Sequence, residues 1–109
     1  MVKNQILFIS KQIVKAPIVQ LSTQNPTEES MDGKIVCIES ADPGFDWIFS
    51  RGITGLITRF GGANSHMAIR CAELNLPAAI GCGEELYRRL QSSKVIELNC
   101  SKKLIIIIA

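Results

Sequence analysis

Residues 55–84 read GLITRFGGANSHMAIRCAELNLPAAIGCGE, and the succession of element types along this stretch decides the fold. ITGLIT, Ile53 to Thr58, has the β-branched run of a strand. RFGGAN is a loop, Ser65 to about Asn75 reads as a helix, and PAAIG, from Pro77, reads as a second short strand. Strand, loop, helix and strand make a βαβ unit, whose two strands are expected to be parallel and whose crossover is expected to be right-handed.

Working outward, KIVCIE (Lys34–Glu39) is an almost unbroken apolar run, as expected for a strand covered on both faces. The next segment has helix punctuation: Asp42 as cap, Pro43 at the first helical position and Gly52 beyond the end. Phe45, Ile48 and Phe49 supply its apolar stripe, with Trp47 at the edge and expected to pack. Upstream, QILFIS and QIVKAPIVQLS read as extended, and TQNPTEESMDG between them and KIVCIE reads as a surface loop. Downstream, GEELYRRLQSS reads as a helix with Glu84 and Glu85 in its first turn, Arg88 and Arg89 toward its end, and Leu86 and Leu90 buried. KVIELNCSKKLIIII closes the chain as a two-stranded hairpin. The expected fold class is α/β in a single domain, residues 1–109.

Composition narrows the partners. The chain has 109 residues, 47% hydrophobic and 20% charged, with 12 basic and 10 acidic side chains and a net charge of +2. The charges are interspersed, which argues against a nucleic-acid surface. Cys37, Cys71, Cys82 and Cys100 stand far apart in apolar contexts and form no CxxC pair; with one histidine in the chain, a metal site is not expected, and the thiols suit a reducing, cytoplasmic compartment. Neither MVKNQILFIS nor LIIIIA has the length of an apolar signal core or of a membrane span, which needs roughly 20 residues.

His66 is the chain's single histidine. On the expected helix it shares a stripe with Arg70 and Glu73, while Met67, Cys71 and Leu74, extended by Ala68, Ile69 and Ala72, form the expected buried side. The imidazole therefore points outward in a first helical turn, where unpaired amides and the positive end of the helix dipole favour an anion. A neutral imidazole is a competent nucleophile, and a phosphoryl group placed on it would land beside those amides. Gly61 and Gly62 allow close backbone approach, Asn64 or Ser65 can cap the helix, and either could bond the imidazole or a phosphate. The residues alone do not distinguish the ring nitrogens; an outward Nε2 is the natural expectation.

The whole segment closely resembles the signature of the phosphohistidine, or swivelling mobile, domain of phosphoenolpyruvate-utilising enzymes. The resemblance is carried by Thr58, Gly61-Gly62, Ser65, His66, Ala68-Ile69, Pro77-Ala78 and Gly81-Cys82-Gly83, and it extends over Gly33 to Ala109, with the first thirty residues similar only in outline. It implies a swivelling β/β/α domain in which His66 carries a phosphoryl group between two active sites. Ser65 and Thr58 would assist, and Gly61, Gly62, Asn64 and Arg70 would contact the phosphate. Two positions depart from the family pattern: Arg59, where relatives often have an acidic or small residue, and Ala72, where many have an arginine. Arg70 could replace that positive charge, or could simply pair with Glu73.

The resemblance also implies partners. An ATP-grasp nucleotide-binding domain would load the histidine with Mg²⁺ and ATP, or phosphoenolpyruvate would load it at another domain, and a phosphoenolpyruvate/pyruvate-type site or another acceptor would unload it. The domain itself is expected to bind no cofactor. A synthase or dikinase loaded by ATP fits the wording better than the enzyme I type. The chain is then expected to be one domain of a phosphotransferase, excised or free-standing, and not a complete enzyme. The competing readings are a non-catalytic docking or regulatory module of the same fold, and an unrelated α/β ligand-binding domain.

Overall fold

A computed structural model describes residues 6–21, 30–40 and 43–109. Seven strands form one sheet: β1 (Leu7–Ile9), β2 (Ile13–Leu21), β3 (Ile35–Ser40), β4 (Gly55–Phe60), β5 (Ala78–Ile80), β6 (Val95–Asn99) and β7 (Leu104–Ile107). Their spatial order is β1-β5-β4-β3-β2-β6-β7. The neighbours β2, β3, β4 and β5 run parallel, whereas β1, β6 and β7 pair antiparallel with theirs. A 3₁₀ helix spans Pro43–Ser50, α1 spans His66–Leu74 and α2 spans Glu84–Gln91.

The strand β2 makes the sheet curl. Its first half, Ile13 to Pro17, pairs with β6, and its second half, Ile18 to Leu21, pairs with β3. The change of partner falls at Pro17, which has no N–H for a ladder. The hairpin β6–β7 thereby folds over one face of the central strands, where Ile96 and Leu98 join Ile35, Cys37, Ile57 and Ala79 with Tyr87 and Leu90 of α2. The other face, Val36, Ile38, Leu56, Ala78 and Ile80, is covered by Phe45 and Ile48 of the 3₁₀ helix and by Met67, Ala68 and Cys71 of α1. Ile35 to Ile38 of β3 are consequently all 0% exposed, as the reading of KIVCIE requires.

The parallel pairing of β4 with β5 across α1 and the closing hairpin match the sequence reading. Other expectations need correction. The segment after β3 is a 3₁₀ helix rather than an α-helix, and the cap proposed at Asp42 lies outside the described residues, as do residues 23–29 of the loop before β3. Strand β4 begins two residues later than read and runs on to Phe60, because its parallel register with β3 continues as far as Ser40. Trp47 is 39% exposed and not in the core. On α1, Ile69 and Leu74 are half exposed and Ala72 is exposed. At about 100° per residue the face centred on Met67, Ala68 and Cys71 puts Ile69 opposite, on the side of His66, while Leu74 lies at the frayed end before the left-handed Asn75.

No helix among the described residues is long and apolar enough to cross a membrane. All four cysteines are free and buried. Burial pushes the Cys37 and Cys71 thiols up to about 12 and that of Cys82 to about 11.

Candidate functional site

The loop that carries His66 is anchored at both ends by backbone geometry. Strand β4 delivers the chain to Gly61, whose φ of 135° is open to glycine alone in practice. A tight turn follows, in which the Ser65 amide donates to the Gly62 carbonyl at 3.0 Å. The Ser65 hydroxyl donates to the same carbonyl at 2.7 Å and accepts from the Ala68 amide at 3.3 Å. Ser65 is therefore the N-cap of α1, and Asn64 is left exposed in the loop. His66 takes the first helical position, its side chain 40% exposed.

Thr58 lies on β4 and is fully buried. Its hydroxyl accepts from the Gly81 amide at 3.0 Å, which ties β4 to the turn after β5. No hydrogen bond joins Thr58 to the imidazole among the described residues. The same turn brings Gly81 against Gly61: a Cβ on Gly81 would lie 2.6 Å from the Gly61 carbonyl oxygen. Gly62, by contrast, faces open space. Of the two glycines, Gly61 is packed against the turn after β5, whereas Gly62 has room for a side chain.

The partner of His66 is a residue the sequence reading did not single out. Asp46, on the 3₁₀ helix, places Oδ1 2.7 Å from His66 Nε2 and 3.2 Å from Arg70 Nε. Arg70 donates through its other arm to Glu73 at 3.3 Å, and its guanidinium stands 5.4 Å from the Phe49 ring centre. The His66 hydrogen bond is the main cause that holds the Asp46 carboxyl below its ordinary value, against some desolvation and with help from Arg70. A carboxylate accepts only, so the contact requires the proton on Nε2. The Glu73 hydrogen bond first, and Asp46 after it, hold the Arg70 guanidinium more firmly protonated. Arg70 thus pairs with Glu73, as the second of its two readings expects, and also bonds Asp46, the partner of His66. The one signal for Asp46 was its position between the buried Phe45 and Ile48, which puts it on the polar side of its helix; nothing in its spacing pointed to a residue twenty positions on.

Arg59 leads into a separate cluster. It pairs with Glu39 at 3.4 Å and with Glu84 at 3.5 Å, stands over the rings of Phe60 and Tyr87, and borders a shallow pocket with Arg88 and Gln91. Among the described residues, no three His, Cys, Asp or Glu side chains are grouped to hold a metal ion.

A half-exposed imidazole thus stands at a capped helix start with a guanidinium one turn away, beside first-turn amides of the kind that favour an anion.

Comparisons with known proteins follow the same line. The family described as PEP-utilising enzyme, mobile domain, matches residues 30–103. The phosphoenolpyruvate synthase of Pseudomonas aeruginosa is 24% identical over 94 residues, which is 86% of this chain and 12% of that protein. The phosphoenolpyruvate synthase of Deinococcus radiodurans is 30% identical over 71 residues, 65% of this chain and 9% of that one. The chain thus spans about an eighth, 12%, of the length of the first of these relatives. Among solved structures, the solution NMR structure of a UPF0107 protein superposes with a TM-score of 0.67 over 95% of this chain and 97% of its own, at 12% identity. That likeness is one of fold.

Proposed function

The chain belongs to the mobile-domain family of PEP-utilising enzymes, and from that premise we propose that it is a phosphoryl carrier in which His66 is the residue transiently phosphorylated. One observation carries the reading: the only histidine stands half exposed at the first turn of the Ser65-capped helix α1. In the transfer, a lone pair of the imidazole attacks phosphorus, the bond from phosphorus to the donor oxygen breaks, and the ring proton passes to solvent. The second site reverses these events. Ser65 keeps the helix start in place, the first-turn amides and Arg70 face the added charge, and Thr58 holds the loop through Gly81 rather than touching the ring.

In this reading the domain swivels between an ATP-grasp site that uses Mg²⁺ and ATP and a phosphoenolpyruvate/pyruvate-type acceptor site, on the same or a separate chain. The names of the curated relatives and the small share of their length that the chain covers support that arrangement.

The test is the intact mass of the chain after incubation with Mg²⁺-ATP, or with phosphoenolpyruvate, and the loading domains of a phosphoenolpyruvate synthase. An acid-labile gain of one phosphoryl group, lost in His66→Ala, is the expected result. No gain with either donor, under conditions that load an established carrier domain, would overturn the carrier reading in favour of a docking module.

A further inference from the structure

We propose that Asp46 is a clasp on His66: it holds Nε2 in the unloaded carrier, gives it up when a phosphoryl group is accepted there, and so weakens the hold of the loaded histidine on its cargo. The inference rests on the carrier reading above and concerns how that site is tuned.

Three features of the geometry lead to it. The 2.7 Å contact occupies Nε2, the ring nitrogen farther from the side chain's own Cβ. A phosphorylated Nε2 has no proton to donate, and the incoming group adds negative charge where a carboxylate already sits. Asp46 and the phosphoryl group therefore exclude one another. Second, Asp46 Oδ1 is shared with Arg70 Nε, so withdrawal of the carboxylate frees one face of a guanidinium one helical turn from His66, where it can pair with the phosphoryl oxygens. Third, an interaction made only in the unloaded state favours that state, and the loaded state gives up its group more readily by the same factor.

The 3₁₀ helix then registers the exchange. Trp47, the only tryptophan of the chain, follows Asp46 directly, is 39% exposed and has the Arg51 guanidinium 5.3 Å from its ring centre. Movement of Asp46 away from His66 changes the surroundings of this indole. Asp46 is a positioning residue here, acting through His66.

The experiment uses the full chain and potassium phosphoramidate as donor. Solvent first exchanges the ring proton from Nε2 to Nδ1; the Nε2 lone pair attacks phosphorus, the phosphorus–nitrogen bond of the donor breaks, and the departing ammonia leaves with the Nδ1 proton as ammonium. Loading and loss of the group are followed by intact mass, the nitrogen is identified by ¹⁵N and ³¹P NMR, and Trp47 emission is recorded throughout, for wild type, Asp46→Asn and His66→Ala. The ratio of loading rate to loss rate is expected to rise about twofold to fivefold in Asp46→Asn, the range of an exposed charged contact. Trp47 emission is expected to change on loading in wild type and to change little in Asp46→Asn. A wild-type ratio in Asp46→Asn, or a phosphoryl group found on Nδ1 with Trp47 silent, would overturn the clasp while leaving the carrier intact. If neither wild type nor Asp46→Asn gains mass while a histidine-containing peptide does, the carrier reading fails and the clasp with it.

Discussion

His66 Nε2 and Asp46 Oδ1 meet at 2.7 Å across a separation of twenty residues, one on α1 and the other on the 3₁₀ helix that precedes β4. Both elements lie on the same face of the sheet, packed over Val36, Ile38 and Leu56. The contact is a product of that shared layer, and it gives the site a pH dependence.

In the folded chain the Asp46 carboxyl is held below its ordinary 3.8, chiefly by the His66 hydrogen bond. A carboxylate whose folded pKa is depressed contributes stability above its unfolded value and loses it as pH falls through the folded one. The thermal midpoint of Asp46→Asn should therefore lie below that of wild type near neutrality, by a few degrees at most for so exposed a pair. The gap should close as the pH falls through the ordinary 3.8 and below it, where the depressed carboxyl is protonated in the folded chain as well. Circular-dichroism melts across that range measure it, and a gap that widens on acidification would contradict the assignment.

Thr58→Val keeps the shape of a fully buried side chain and removes the acceptor of the Gly81 amide. An unsatisfied buried donor costs about 1–3 kcal/mol. Urea denaturation should show a loss in that range, with His66 still able to take a phosphoryl group, because the hydroxyl bonds the loop and not the ring.

The glycines of the site should separate by role. At Gly81 the backbone φ is +75° and a Cβ would press on the Gly61 carbonyl, so Gly81→Ala is expected to cost about 2 kcal/mol or more. Gly62 meets nothing within 4 Å, and Gly62→Ala should leave stability within about 0.5 kcal/mol of wild type. If Gly62 serves the approach of a phosphoryl donor, the same variant will load more slowly. Equal loading would assign that glycine no part in transfer.

Ser65→Ala removes the side-chain acceptor of the Ala68 amide and the hydroxyl bond to Gly62. The loss of an N-cap costs about 1 kcal/mol. Amide hydrogen exchange should be faster in the first turn of α1, at Met67 and Ala68, and unchanged in β3; protection equal to wild type would show that the turn holds without its cap.

The thiols offer a check on the core. Cys37 and Cys71 are shifted up to about 12 and Cys82 to about 11 by burial, so at pH 8 the folded chain should react with a disulfide reagent only as fast as it opens. Four thiols should appear at once in denaturant. Rapid titration of any of them in the native chain would place that cysteine nearer the surface than it stands here.

Much of this was legible in local pattern. The run in β3, the caps and glycines around α1 and the charge asymmetry of α2 each express a preference that acts over a few residues, and the elements formed where those preferences agree. The errors arose where the pattern was ambiguous over a single turn. Ile69 is as apolar as Met67, and only the choice of which side of α1 meets the sheet sends one outward and the other in. Trp47 likewise carries no mark that distinguishes an exposed indole from a packed one.

The sequence by itself determined the order of the elements, the parallel βαβ unit and the exposure of His66 at a capped helix start, because hydrophobic period, glycine placement and capping chemistry act between near neighbours. The tertiary structure alone decided that Asp46 is the partner of Nε2, that Thr58 bonds Gly81, and that the hairpin β6–β7 closes the second face of the sheet. Each of these joins residues far apart in the chain, through the change of partner along β2 and the packing of two helices on one layer. Such contacts depend on distances in space, which no local preference encodes.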